Sequence, residues 1–145
     1  MIEFFTENNI LWGGLLACFI AQLLKIPTYL VVFKKLDLKR AWGAGGLPSS
    51  HSAFVTCAAT MVFRQCGYAS VEFALAAMFA IIVMYDATGV RREAGEHARL
   101  LNQLIFDLEK DNNIVLDKKL KEFLGHTPFE VVAGVVVGLA TGILL

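Results

Sequence analysis

The chain has no surplus of either charge. Thirteen Lys and Arg balance thirteen Asp and Glu, for a formal net charge of zero at pH 7. A nucleic-acid partner is therefore not expected, because binding phosphates of a duplex or strand calls for a basic excess. Charge of any sign is scarce, at 18% of residues against about 25% in soluble domains. Cysteine is scarce as well. Cys18, Cys57 and Cys66 are odd in number, lack metal-ligand spacing and stand among apolar neighbours. They read as packing residues, and no metal or cofactor is expected. The amino terminus opens Met1-Ile2-Glu3, with no basic stretch before the first apolar run. No cleaved secretory signal is expected, and that run is read as a retained membrane span.

What the chain does have is apolar length. Hydrophobic residues make up 57% of the 145 before any glycine is counted, whereas soluble domains reach about 45–50% with glycine included. A chain this short leaves much of its surface wet and cannot hide such an excess in a core. The expectation is an all-α integral membrane helix bundle forming a single domain over residues 1–145. It would have about four transmembrane helices and one amphipathic helix between spans three and four.

A helix crossing the hydrocarbon core needs about 20 apolar residues. The first candidate runs from Ile10 to Phe33, interrupted by Gln22, Lys25 and Pro27, and Lys34, Lys35, Asp37, Lys39 and Arg40 mark its exit into water. Gly43, Gly45, Gly46 and Pro48 must be loop. The second span runs from about Ser49 to Phe63, with Arg64, Gln65 and Gly67 as a short turn. The third runs from about Val71 to Tyr85, or to Val90 if Asp86 is tolerated, and Gly89, Arg91 and Arg92 end it. Between Glu93 and Leu124 the pattern changes. Leu100, Leu101, Leu104, Ile105 and Leu108 recur at helical spacing opposite Glu96, Arg99, Gln103 and Asp107, which describes an amphipathic helix at the interface or against the bundle. Asp111, Asn112 and Asn113 break it, the basic stretch Lys118–Lys121 follows, and Phe129–Leu145 forms the last span. Gly134, Gly138 and Gly142 share one face of that span. Such a stripe admits a closely packed helix, either within the bundle or from a second copy in a homo-oligomer.

Counting crossings brings four polar clusters to one end. The starts of spans two and four and the end of span three lie on the same side, which gathers His51, Asp86 with Arg91 and Arg92, and His126 with Glu130. Lys25 lies about two turns inside span one from that end. Gln22, Lys25 and Tyr29 form one polar stripe, so Lys25 reads as a ligand-binding cation facing the interior, with snorkelling to the interface as the alternative. Gly45-Gly46-Leu47-Pro48-Ser49-Ser50-His51-Ser52-Ala53 reads as a helix start. The same geometry offers the amides and side chains of Ser49, Ser50 and His51 to an anion, and His51 to a leaving oxygen as proton donor. Arg91 and Arg92 read either as topology anchors or as anion ligands, and Asp86 favours the second because a carboxylate in a membrane needs a partner. His126 and Glu130 share a helix face if the helix begins near Thr127, where the carboxylate can hold one ring nitrogen and aim the other. His97 has no such frame and reads as a surface residue.

These blocks together resemble the divergent branch of the type 2 phosphatidic acid phosphatase family, the acid phosphatase/vanadium-dependent haloperoxidase-related proteins. The resemblance covers nearly the whole chain. It is carried by Gln22-Leu23-Leu24-Lys25, residues 45–53, Asp86-Ala87-Thr88-Gly89-Val90-Arg91-Arg92, and Leu124-Gly125-His126-Thr127-Pro128-Phe129-Glu130-Val131. It implies hydrolysis of phosphate esters, often on lipids, through a phosphohistidine and without an obligatory metal. Matched to the family's P-S-G-H motif, Pro48-Ser49-Ser50-His51 makes His51 the general acid. Matched to its H-Y-P-S-D-V motif, His126 becomes the nucleophile and Glu130 its orienter. Ser50 stands for the glycine of P-S-G-H and Glu130 for the aspartate of H-Y-P-S-D-V, and two motif arginines are missing. The first motif's arginine position is Val32, and the arginine expected six residues before the nucleophile is Leu120. Arg91 and Arg92 would have to supply that charge.

The expected function is an integral membrane phosphatase acting on a lipid-linked or small phosphate or diphosphate ester. Lys25, Ser49, Ser50, Arg91 and Arg92 would bind phosphate, with Asp86 in support. The alternative is a non-catalytic membrane protein that keeps the anion pocket, as a lipid-phosphate binder or assembly subunit. The expected location is the bacterial inner membrane. The positive-inside rule puts the site on the cytoplasmic side, although the same cations serve as phosphate ligands in the leading reading.

Overall fold

The computed structural model describes residues 8–34, 45–112, 120, 122 and 125–145. Among the described residues five helices follow one another: α1 (Asn9–Phe33), α2 (Ser50–Cys66), α3 (Val71–Thr88), α4 (Val90–Asn112) and α5 (Pro128–Leu144). The charged exit at Lys35, Asp37, Lys39 and Arg40, the loop residue Gly43, Asn113, and Lys118, Lys119 and Lys121 lie outside the described residues.

Short polar residues start the helices by occupying first-turn amides that have no intrahelical acceptor. Asn8 accepts from the Leu11 amide, Ser70 from Phe73, Ser49 from Ser52, and Thr127 from Glu130. Two boundaries differ from expectation. Arg64 and Gln65 do not form a turn but complete α2, which runs to Cys66. Arg64 gains from this, since its guanidinium donates to the Gly142 carbonyl at 2.8 Å and so satisfies the far end of α5. The amphipathic segment is helical already at Val90 and stops at Asn112, and Asp86 sits inside α3.

The packing is inverted relative to a soluble protein. The buried cluster consists of Ala17, Ala21, Ala53, Cys57 and Met61, while large side chains point outward. Phe19 on α1, Phe79, Ile81 and Ile82 on α3, and Val136 and Ile143 on α5 are all about 60% exposed. So much contiguous apolar surface requires an apolar solvent, and a small-residue interior is what close helix approach in lipid selects. The molecule is a helical membrane bundle. Two stretches, Asn9–Val31 and Val71–Leu108, are by themselves long and apolar enough to cross a bilayer, and Pro128–Leu144 is a shorter apolar helix. Helix α2 occupies the middle, packed by α1, α3 and α5.

The glycine stripe of α5 lies on α2. A methyl group added at Gly134 would collide with the Ser49 carbonyl, at Gly138 it would stand 2.5 Å from the Ala53 carbonyl oxygen, and at Gly142 2.8 Å from Thr60 Cβ. The intrachain alternative is thus the one this stripe serves. The result is that the starts of α2 and α5 are held side by side, with the Ser49 amide donating to the Glu130 carbonyl at 2.9 Å.

Candidate active site at the polar end of the bundle

His126 precedes α5 and is delivered to the bundle by its own backbone. Its N–H donates to the Ala87 carbonyl at 2.8 Å, near the end of α3. Gly125, immediately before it, has φ 83°, and a Cβ there would stand 2.5 Å from the Arg92 amide nitrogen. Only glycine meets both the left-handed backbone and that approach. The imidazole is 6% exposed, and its Nδ1 lies 3.0 Å from Glu130 Oε2. The same oxygen accepts the Thr127 amide at 3.1 Å, while Thr127 Oγ1 accepts the Glu130 amide at 3.3 Å. This capping box locks the carboxylate, which in its ionised form requires a proton on Nδ1. The lone pair of a neutral ring then belongs to Nε2.

The start of α2 approaches from the other side. Ser49 and Ser50 are buried and His51 is exposed. Ser49 is engaged at both its amide and its hydroxyl oxygen, the oxygen as an acceptor. Its amide goes to Glu130, and its hydroxyl caps α2 through the Ser52 amide at 3.3 Å and the Ser52 hydroxyl at 2.9 Å. Ser49 therefore builds the site's floor, and the first-turn amides left to face an anion are those of Ser50 and His51.

The charged side chains gather around His51. It lies within electrostatic reach of Arg91, His126, Lys25 and Asp86, and Glu130 within reach of His126 and Lys25. Lys25 is 3% exposed and turns inward from α1, so the interior alternative to snorkelling is the one observed. Its Cδ passes 3.9 Å from where a Cβ on Gly46 would stand. The Thr28 hydroxyl, one turn further, ties α1 to the same loop through the Leu47 carbonyl. Asp86 Oδ2 holds Arg91 Nε at 2.6 Å across the α3–α4 junction. Arg92 is exposed, and its backbone underlies Gly125. His97 is exposed on α4. Among the described residues, no group of three or more His, Cys, Asp or Glu is placed to hold a metal ion.

Two contributors have no sequence signal of the kind used above. Thr28 and Asn102 act through backbone groups distant in sequence, Leu47 for Thr28 and Leu120 for Asn102. Gly125 stood in the sequence as part of the block 124–131, but its contact with the Arg91–Arg92 backbone had no signal there.

The arrangement presents one buried imidazole oriented by a carboxylate, a second imidazole at a helix start, and cations from two further helices. Such a set of imidazoles, cations and helix-start amides is of the kind that suits a tetrahedral oxyanion. The family model described as "Divergent PAP2 family" matches residues 6–141. A protein of Bacillus subtilis (strain 168), named "Uncharacterized membrane protein YuiD", is 46% identical over 148 residues, covering 95% of this chain and 91% of that protein. No solved structure matches.

Proposed function

The chain belongs to the Divergent PAP2 family, and from that membership and the histidine geometry we propose a metal-independent membrane phosphatase that hydrolyses a lipid-linked or small phosphate or diphosphate ester. The observation that carries this reading is the buried His126, whose Nδ1 is fixed by Glu130 at 3.0 Å so that Nε2 is the reactive atom. Nε2 attacks phosphorus and forms the P–N bond as the bond to the leaving oxygen breaks. Protonated His51 gives that oxygen its proton. Water then attacks the phosphohistidine, neutral His51 takes a proton from it, and phosphate leaves as the P–N bond breaks. Lys25, Arg91 and the Ser50 and His51 amides offset the charge on the phosphoryl oxygens, with Asp86 holding Arg91 in place. Arg92 contributes from the rim. This charge compensation is the main protein contribution to phosphoryl transfer.

A second reading, a lipid-phosphate binder or assembly subunit without turnover, draws on one observation. The position six residues before His126 is Leu120, whose backbone is engaged by Asn102, so no cation enters from there. The two readings part on turnover. Detergent-purified protein is assayed for phosphate release from a panel of lipid phosphates and diphosphates, with and without vanadate. The phosphatase reading expects vanadate-sensitive release that falls by about a thousandfold or more in His126→Ala and by about a hundredfold or more in His51→Ala. Binding of vanadate with no turnover on any substrate would overturn it in favour of the binder. The bacterial inner membrane, with the site facing the cytoplasm, is the location in keeping with the excess of Arg and Lys near this end.

A further inference from the structure

Helix α4 is long, amphipathic and peripheral, with α3 as its main helical neighbour. One of its faces is nevertheless covered. Arg91, Gly95, Ala98 and Asn102 follow at intervals of four, three and four and so lie in one row. Gly95 and Ala98 are buried, Ala98 to 7% exposure. At the near end of the row Gly125 rests on the Arg91–Arg92 backbone. At the far end Asn102 clasps the chain that leads to Gly125. Its Oδ1 accepts the Leu120 amide at 2.9 Å, and its Nδ2 donates to the Leu120 carbonyl at 2.9 Å and to Glu122 Oε1 at 2.7 Å. Three of the four hydrogen-bonding places of this amide are filled, and in a pattern that only one orientation of the amide satisfies.

The partners of that clasp stand close to His126 in sequence, Leu120 six residues before it and Glu122 four residues before it. A tether so short restricts where the histidine backbone can go, and the restriction adds to the bond from the His126 amide to Ala87. We propose that Asn102 is a positioning residue: α4 acts as a splint, and its side-chain amide holds Leu120 and Glu122, six and four residues before His126, and so limits where His126 can sit against Glu130 and the end of α3. The inference rests on the phosphatase reading for its catalytic consequence, but its structural content is independent of it.

The test uses full-length protein in detergent or nanodiscs and two readouts. Amide hydrogen exchange is followed at Leu120 and His126 and, for comparison, in the middle of α2. Turnover, as kcat and KM, is followed on a phosphate ester that the wild type cleaves. Asn102→Asp keeps the shape but sets a carboxylate against the Leu120 carbonyl and Glu122. Asn102→Ala removes all three bonds. Both variants are expected to exchange the Leu120 and His126 amides at least about tenfold faster, the loss of one net hydrogen bond, with α2 unchanged. The kcat is expected to fall about tenfold with KM within about twofold. Glu122→Gln added to Asn102→Asp is expected to recover part of the protection, because the new amide can donate to the carboxylate.

Unchanged exchange at His126 in both variants overturns the proposal, and so does an equal rise throughout α2, which would mark a general loss of stability. A loss of His126 protection with kcat unaltered in an active enzyme also overturns it. If the wild type cleaves none of the substrates, the phosphatase reading fails, and hydrogen exchange alone decides whether Asn102 sets the position of His126.

Discussion

Glu130 Oε2 serves two donors, the His126 ring four residues before it and the Thr127 amide three residues before it, and both follow from spacing at a helix start. The same atom therefore begins α5 and orients the imidazole. Glu130→Gln retains one oxygen that can accept a hydrogen bond but no longer offsets the positive charge that develops on the ring. Turnover should fall by about a hundredfold or more with little change in KM, measured on the substrate that the wild type cleaves best. Asp86 and Arg91 form an ion pair whose side chains are 38% and 58% exposed, and such pairs contribute little to stability. Asp86→Asn should leave the thermal midpoint within a few degrees of wild type while raising KM for a phosphate ester, because Arg91 is then free to leave the site. At this scale, the His126–Glu130 pair and the inward side chain of Lys25 were legible from residue type and spacing. Ser49 was legible as part of a helix start, but its amide is taken by Glu130, a partner on another helix. Asn102 was not legible, since Leu120 and Glu122 lie 18 and 20 residues away and no periodicity connects them.

The elements owe their ends to local chemistry. Thr127 caps α5 with Pro128 at its first position, and Thr127→Ala should cost about 1 kcal/mol in unfolding experiments, as the loss of an N-cap does elsewhere. The middle of α5 is governed by α2 instead. At Gly138 an added Cβ would stand 2.5 Å from the Ala53 carbonyl oxygen, 2.8 Å from Thr56 Cβ and 3.0 Å from the Cys57 amide, two of them backbone atoms that cannot turn aside. Gly138→Ala should therefore destabilise the bundle by about 1–3 kcal/mol, and a larger residue by more. The control is Ala140→Gly on the exposed side of the same helix, which should cost about 1 kcal/mol or less in the same unfolding assay. Apolar run lengths and capping residues placed α1, α3 and α5 within a residue or a few of their observed bounds. The turn expected at Arg64–Gln65 failed because an arginine beside a glutamine looks like an exit into water. Arg64 instead finds an acceptor at the end of α5, a contact that depends on how α2 and α5 pack.

For the whole molecule, the inverted distribution of side-chain size states the solvent. Large residues face outward along α1, α3 and α5, and the interior is made mostly of small residues, alanine, glycine, serine and cysteine, with Met61 among them. The path of the chain states the sidedness. Helix α2 starts in the site and ends at Gly67, and α3 returns to it, so Cys66 and the first turn of α4 lie on opposite sides. Cys66 is exposed and Cys57 is buried. In sealed, uniformly oriented vesicles, an impermeant thiol reagent should label Cys66 from one side only. In a background without native cysteines, Glu93→Cys should be labelled only from the other. Labelling of both from the same face would refute the crossing pattern.

Composition, apolar run lengths and the parity of crossings were enough to determine the membrane class, the order of helices and the end of the bundle where the polar residues meet. Each of these depends on the chain alone: how apolar a stretch is, and how many times it has crossed. The tertiary structure decided what connectivity leaves open. It turned the α5 glycines onto α2, took the Ser49 amide for Glu130, joined Arg91 to Asp86, and set Asn102 on Leu120 and Glu122 shortly before His126. These contacts join residues on different elements, and they form or fail with the rotation of each helix about its axis and a few ångströms of separation between helices, neither of which a one-dimensional pattern contains.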